Sequence, residues 1–151
     1  MNLIAPVSTL MTKNLITVNP EDTLEKVNQV FEDNNIHHLP VVRFHKIVGI
    51  ISQTDFKHFL HGYTQNQPDG FLEKTRLGSW KAEDIMTKGL GKVESTDKLR
   101  TVVDIFKMNR FHALPVVDND DLVGIITVQD IINALAAEHV SLDDYKAAKN
   151  G

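Results

Sequence analysis

The chain contains one unit twice, at a fixed offset of 75 residues. Three motifs recur in register: Met-Thr-Lys at 11–13 and 86–88, Leu-Pro-Val-Val at 39–42 and 114–117, and Val-Gly-Ile-Ile at 48–51 and 123–126. Asp55 falls on Asp130, and nearly half of residues 11–55 are identical to their counterparts in 86–130. Because both copies present the same apolar face, we expect them to pack against each other about a pseudo-two-fold axis. The groove between the copies is then the expected place for a ligand.

Composition narrows the class of protein. With 151 residues and a mass of 17.0 kDa, the chain can bury one sizeable core but not two independent ones. A net charge of −4 argues against a nucleic-acid-binding surface, and the absence of cysteine removes disulfides and thiolate chemistry. No apolar run is long enough to span a bilayer, and residues 1–6 lack the basic flank and apolar stretch of a signal peptide. We therefore expect a cytoplasmic protein with no membrane or nucleic-acid partner.

Each copy begins with a strand followed by a helix. Residues 15–18 are β-prone and are closed by Asn19-Pro20. The apolar residues that follow have helical spacing: Leu24, Val27, Val30 and Phe31. Asp22 or Thr23 can cap this helix at its start, and the pair at 34–35 can end it.

The rest of each copy reads as a hairpin and a second helix. Residues 38–43 and 46–52 are two strands joined by a tight connection at 44–45, and residues 118–121 give the second copy better turn chemistry there. Helices are expected at 52–60 and 127–137, and a short helical turn precedes each copy, at 7–11 and 82–86. The predicted fold class is therefore α/β (α+β), with two β-α-β-β-α repeats.

The chain divides into two repeats, a connector and a tail. The repeats are assigned to 7–61 and 82–138, and the tail, a short polar helix at most, to 139–151. The connector, 62–81, contains a loop by composition at 65–70. Its apolar residues predict that the remainder packs back on the body of the protein: Phe71, Leu72, Leu77 and Trp80.

A hydroxyl and a carboxylate stand three residues apart at the start of the second helix in both copies. The pairs are Ser52 with Asp55 and Thr127 with Asp130. One such pair alone is most simply a capping box. A helix start can also bind phosphate through free N–H groups and the helix dipole, and a carboxylate one turn further can accept hydrogen bonds from both ribose hydroxyls. The doubled pair therefore indicates a nucleotide site.

The repeat length, the element order, the Leu-Pro-Val-Val strand and the doubled Gly-x-x-Ser/Thr-x-x-Asp motif together resemble a tandem pair of cystathionine β-synthase (CBS) domains, the Bateman module. The resemblance covers roughly residues 7–60 and 82–137. It implies a sensor with no catalytic cofactor, which binds AMP, ADP, ATP or a related ligand such as S-adenosylmethionine, NAD or cyclic di-AMP in two clefts between the repeats. It also implies a homodimer.

The resemblance further implies which residues bind the ligand. One cleft would combine Thr127 and Asp130 of the second repeat with residues of the first: Thr12, Ile16, His37, His38 and Pro40. The other would combine Ser52 and Asp55 with residues of the second: Thr87, Gly91, His112, Ala113 and Pro115. Because the first cleft has two imidazoles and an apolar wall, whereas the second has one basic partner and a glycine, we expect the Asp130 cleft to bind more tightly.

Other chemistry is less well supported by the sequence. The pair His58 and His61 has metal-ligand spacing on a helix, but such a pair is usually a solvated face, and no carboxylate completes a site. Neither a nucleophile elbow nor the phosphate loop of nucleotide triphosphatases is present.

These observations lead to one reading and one main alternative. The reading is a dimeric, regulatory, adenine-nucleotide-binding protein that changes conformation on binding and signals to an unidentified protein partner. Its dimer interface would be formed by the helices that begin near Thr23, Ser52, Lys98 and Thr127. The alternative is a structural or dimerisation module with empty clefts, in which both hydroxyl and carboxylate pairs are only caps. An enzyme is the poorest fit.

Overall fold

The computed structural model describes residues 1–61 and 70–149, with only the backbone described at 70–73. After a 3-10 turn at Val7–Thr9, the elements in chain order are α1 (Leu24–Asp33), β1 (His38–Arg43), β2 (Lys46–Ser52), α2 (Gln53–His61), α3 (Gly70–Ser79), α4 (Ala82–Ile85), α5 (Leu99–Lys107), β3 (Ala113–Asp118), β4 (Asp121–Thr127), α6 (Val128–Ala136) and α7 (Leu142–Lys149). The mixed helix and strand architecture with two copies of one unit is confirmed.

The first predicted strand of each repeat is much shorter than expected. Within 15–18 only Val18 pairs, in a parallel bridge with Val41, and in the second repeat Val93 pairs in the same way with Val116. The Val18 amide donates to the carbonyl of Pro40 at 3.1 Å. β-propensity identifies residues that suit a pleated surface, but it does not predict how many of them pair with a neighbouring strand. Here one residue pairs in each repeat.

The helix α1 begins and ends where the sequence predicts. Thr23 is its N-cap, and the threonine hydroxyl accepts a hydrogen bond from the Lys26 amide at 3.4 Å. Asp22, the other candidate cap, instead accepts from the Asn19 amide at 2.8 Å. Asn34 ends the helix.

The two predicted hairpins have the same geometry. β1 pairs antiparallel with β2, and β3 with β4, each with one irregularity in register at the same place in the repeat. The loop residues all have positive φ: Phe44 at 51°, His45 at 66°, Asn119 at 51° and Asp120 at 65°. Positive φ at both central residues is what a two-residue type I′ loop requires. The tight turn thus forms even where Phe44 and His45 replace the more suitable Asn and Asp.

The leading segment of each repeat packs against the other repeat. Thr12 and Ile125 exchange two backbone hydrogen bonds of 2.8 and 3.1 Å, and Ile50 and Thr87 exchange two of 3.1 and 2.9 Å. Val7 is fully buried in the core of the second repeat, whereas Ala82 is fully buried in the core of the first. Each core is therefore completed by residues from outside its own repeat.

The described part of the connector packs on the first repeat, as predicted. Leu77 contacts the first core, and the Trp80 ring lies edge-on to Phe59 with centroids 5.5 Å apart. The predicted loop at 65–70 lies outside the described residues, except for Gly70, which begins α3. The side chains of Phe71 and Leu72 also lie outside the described part of the chain. None of the helices in the described ranges combines the length and the apolar character that a membrane span needs.

Candidate functional site

Two clefts lie between the repeats, and each takes residues from both. The Asp130 cleft has a volume of about 610 Å³, and five residues expected there line it: Thr12, His37, His38, Thr127 and Asp130. The Asp55 cleft has a volume of about 530 Å³, and again five expected residues line it: Ser52, Asp55, Thr87, His112 and Ala113. Both volumes fall in the range of small-molecule sites.

The clefts are related by the 75-residue offset. Thr12 in one corresponds to Thr87 in the other, and Ile125 corresponds to Ile50. These are the same residues that exchange backbone hydrogen bonds between the repeats. The exchange therefore places one repeat's leading segment directly against the other repeat's hydroxyl and carboxylate pair, which explains why the sites form at the junction.

Four expected residues are not among the described residues that line the clefts. Ile16 packs against the first core. Pro40 is fully buried, and Pro115 is buried as well, because both lie within the hairpins opposite Ile50 and Ile125. Gly91 lies against Phe111 and Leu114, at distances that leave little room for a side chain. The apolar walls come from other residues, chiefly Ile36, Ile125 and Val128 in one cleft and Ile50, Leu90 and Phe111 in the other.

The hydroxyl and carboxylate pair of the Asp130 cleft forms a complete capping box. The Thr127 hydroxyl accepts from the Asp130 amide at 3.1 Å, while Asp130 Oδ2 accepts from the Thr127 amide at 2.8 Å and from its hydroxyl at 3.0 Å. The capping interpretation is thus correct for this pair. It leaves Asp130 Oδ1 available, since a carboxylate has about four lone-pair positions.

The pair in the Asp55 cleft forms half of such a box. The Ser52 hydroxyl accepts from the Asp55 amide at 3.0 Å. Among the described residues, none donates a hydrogen bond to the Asp55 carboxylate. Within this part of the chain, both carboxylate oxygens therefore lack a donor, and two such acceptors suit the two adjacent hydroxyls of a ribose.

Three imidazoles lie where the clefts meet. His38 and His112 line both clefts, and His37 lines the Asp130 cleft. Burial lowers the pKa of His38 from its ordinary value of 6.5, the neighbouring His37 and His112 lower it further, and Asp55 acts in the opposite direction. At pH 7 His38 is neutral and can offer a single ring N–H to a phosphate.

Sequence reasoning missed a cation in the Asp55 cleft. This cleft was expected to have one basic partner, His112, but Arg110 also lines it. The available signal is proximity in sequence, because Arg110 lies two residues before His112, which was already expected in this cleft. The premise that ranked the Asp55 cleft as the weaker site is therefore corrected.

A further hollow of about 470 Å³ is lined by residues of both repeats, among them Arg43, Asp84 and Lys88. Arg43 is already paired with Glu21, and Asp84 accepts from the Lys81 amide. The described part of the chain contains no group of three or more His, Asp or Glu side chains placed to hold a metal ion.

Known proteins match almost the whole chain. The family model for the CBS domain matches residues 7–62 and 82–137. An uncharacterized protein of Methanocaldococcus jannaschii, MJ1225, is 32% identical over 130 residues, which are 83% of this chain and 45% of that protein. The chain also spans 22% of an inosine-5′-monophosphate dehydrogenase of the same organism, at 33% identity over 82% of the chain. It thus spans less than half the length of these relatives.

Two solved structures of similar chains contain adenosyl ligands. The CBS domain pair of protein MJ0100, in complex with 5′-methylthioadenosine and S-adenosyl-L-methionine, has a TM-score of 0.70 and 26% identity, covering 90% of this chain and 99% of that one. CBSX2 in complex with AMP has a TM-score of 0.69 and 25% identity, covering 87% and 96% of the two chains.

Proposed function

The chain belongs to the CBS domain family, as a tandem pair, and we propose that it is a regulatory module that binds an adenine nucleotide in the clefts between its repeats. One observation carries the proposal. In both clefts a helix start with a hydroxyl and a carboxylate from one repeat faces a threonine from the leading segment of the other: Thr127 and Asp130 face Thr12, and Ser52 and Asp55 face Thr87.

The chemistry of each cleft suits the parts of a nucleotide. The carboxylate accepts from the ribose hydroxyls, the helix start and the histidines donate to phosphate, and the apolar residues cover the base. Complexes of similar proteins with AMP, S-adenosyl-L-methionine and 5′-methylthioadenosine support an adenosyl ligand. For this chain we propose AMP, ADP or ATP.

A ligand in either cleft would contact both repeats at once. In the Asp130 cleft, for example, it would connect His37 of the first repeat to Asp130 of the second. Binding would then favour one angle between the repeats, and a protein partner that distinguishes the two angles would respond to the nucleotide level. The proposal includes a homodimer in the cytoplasm and assigns the pair binding rather than catalysis.

A thermal shift panel tests this function. The panel contains AMP, ADP, ATP, S-adenosylmethionine, NAD and cyclic di-AMP, with guanosine monophosphate as a control for the base. A ligand at 100 times its Kd stabilises the fold by about 2.7 kcal/mol, which raises the melting temperature measurably. The double variant Asp55→Asn/Asp130→Asn should lose this response. If no adenine compound at millimolar concentration raises the melting temperature of the natural chain, the alternative of an empty structural or dimerisation module is preferred.

A further inference from the structure

The two clefts differ in permanent positive charge. Arg110 lines the Asp55 cleft, and its counterpart in the other repeat, Asn35, lines the Asp130 cleft. Among the described residues that line the Asp130 cleft, the basic groups are all imidazoles, namely those of His37, His38 and His112. A guanidinium stays charged at every physiological pH, whereas a neutral imidazole must first take up a proton to become a cation.

Arg110 also differs from the other arginines in its contacts with the described residues. The other arginines are each held by an oxygen of the protein: Arg43 by Glu21, Arg76 by the carbonyls of Phe59 and Leu60, and Arg100 by Asp104. Within the described ranges, neither a carboxylate nor a carbonyl binds the guanidinium of Arg110. Its side chain is exposed at the cleft. As far as the described residues go, the five N–H donors of this fork are therefore available to an anion.

The surroundings of Arg110 favour a phosphate over a carboxylate of the protein itself. Asp55 lies in the same cleft, but its place at the helix start suits the ribose, and the two residues form no ion pair. When the ribose hydroxyls of a nucleotide bind Asp55, its phosphates extend from the 5′ carbon of the ribose and can reach another group in the cleft. The guanidinium and the phosphate match in geometry, since arginine can bind two phosphate oxygens at once.

We propose that Arg110 determines ligand specificity in the Asp55 cleft, so that this cleft selects adenosyl ligands that carry phosphate, while the Asp130 cleft discriminates far less between phosphorylated and unphosphorylated ligands at neutral pH. This inference rests on the function proposed above. The two clefts of one chain would then recognise different properties of a ligand. The Asp55 cleft would select for its phosphate charge, and the Asp130 cleft for its adenosyl part. For a phosphate-rich ligand above pH 7, the Asp55 cleft becomes the tighter site.

Single-cleft variants make the proposal testable. Asp130→Asn weakens the Asp130 cleft and leaves the Asp55 cleft, and Asp55→Asn does the reverse. In each background we would measure the Kd of adenosine and of ATP by isothermal titration at pH 8 without divalent cations. The selectivity ratio is the Kd of adenosine divided by the Kd of ATP. A larger ratio means that the remaining cleft selects phosphate more strongly.

We expect Arg110→Asn to lower the ratio about tenfold or more in the Asp130→Asn background, because a charge-assisted bidentate contact is lost. Arg110→Lys should restore part of the ratio, since it returns the charge but not the fork. In the Asp55→Asn background, Arg110→Asn should leave the ratio within about twofold, and Asn35→Arg should raise it.

Two results would overturn the inference, and they differ from failure of the proposed function. If ATP binds and Arg110→Asn leaves the ratio unchanged in the Asp130→Asn background, Arg110 does not select phosphate. If the ratio changes equally in both backgrounds, the effect is not specific to the Asp55 cleft. If the natural chain binds neither adenosine nor ATP, the proposed function fails and the inference with it. Circular dichroism of each variant verifies that a loss of binding is not a loss of fold.

Discussion

His38 and His112 belong to different repeats, yet each of these imidazoles lines both clefts. His38 is the more buried of the two. Its pKa is lowered by that burial and by the neighbouring imidazoles, so it is neutral at pH 7 in the ligand-free protein. A phosphate bound beside His38 favours the protonated ring and therefore raises this pKa again.

We predict that phosphorylated ligands bind the Asp130 cleft more tightly as the pH falls from about 8 toward 6. The folded, ligand-free protein holds the His38 proton weakly and the complex holds it strongly, so binding takes up a proton, and acid favours binding between the two pKa values. Titration of the Asp55→Asn variant with ATP, in buffers of different ionisation enthalpy, measures this uptake. The matched control is His38→Ala, which copies Ala113 of the second repeat. Equal proton uptake in both variants would contradict the prediction.

The carboxylates at the two helix starts should contribute differently to stability. Asp130 accepts two hydrogen bonds from Thr127, whereas Asp55 accepts none from the described residues. We expect Asp130→Ala to lower the free energy of unfolding by about 0.5–2 kcal/mol, the range for a lost capping residue, because it removes half of the capping box. Asp55→Ala should change it by less than about 0.5 kcal/mol, as a typical surface substitution does. Urea unfolding of both variants checks this, and equal losses would show that the two helix starts are capped alike.

Gly49 in β2 and Gly124 in β4 each lie against the leading segment of the other repeat. A Cβ on Gly124 would lie 2.6 Å from Met11 Sδ and 3.1 Å from the carbonyl oxygen of Thr12. The sulfur can move, but this carbonyl is held by the Ile125 amide at 3.1 Å. Gly124→Ala should therefore destabilise the fold by about 1–3 kcal/mol through overpacking.

The matched control is Gly78 in α3, because a Cβ built on it would meet none of the described residues beyond its own helix within 4 Å. Gly78→Ala should stabilise the protein by about 0.5–1 kcal/mol, since alanine suits a helix better than glycine. Thermal unfolding measures both variants. If Gly124→Ala is as stable as the natural chain, the junction is looser than the structure indicates.

The helix α6 should form part of a homodimer interface. Ile132 and Leu135 are 50% and 51% exposed and lie on one side of this helix. We expect a dimer by sedimentation at micromolar concentration and a monomer after Ile132→Glu/Leu135→Lys. Phe44→Ser is the control, because Phe44 is 86% exposed in the loop between β1 and β2 and belongs to no helix. A 17.0 kDa monomer with and without nucleotide would exclude this assembly.

The sequence predicted those features that depend on local pattern. The repeat located both hairpins and the two hydroxyl and carboxylate pairs, and local capping residues placed the start of α1 at Asp22 or Thr23. It did not predict Arg110 or the apolar wall residues Ile36 and Phe111. These lie in the irregular segments between a helix and a strand, where neither the helical nor the strand period indicates where a side chain points.

Contacts between residues distant in sequence could not be predicted in detail either. Apolar periodicity predicted that the repeats would meet, but not that the segment around Thr12 would pair with β4 and the segment around Thr87 with β2. One bridge on each side is too short to leave a strand pattern in the sequence. The clefts depend on these two bridges, so the site's position was predictable and its detailed wall was not.

The most direct test of the account is isothermal titration of the natural chain and of Asp55→Asn/Asp130→Asn with AMP and ATP. We predict that the natural chain binds both nucleotides and that the folded double variant binds them at least about tenfold more weakly, because in each cleft an amide has replaced the charged carboxylate that accepts from the ribose. Absence of binding to the natural chain, or equal affinity in the two proteins, would contradict it.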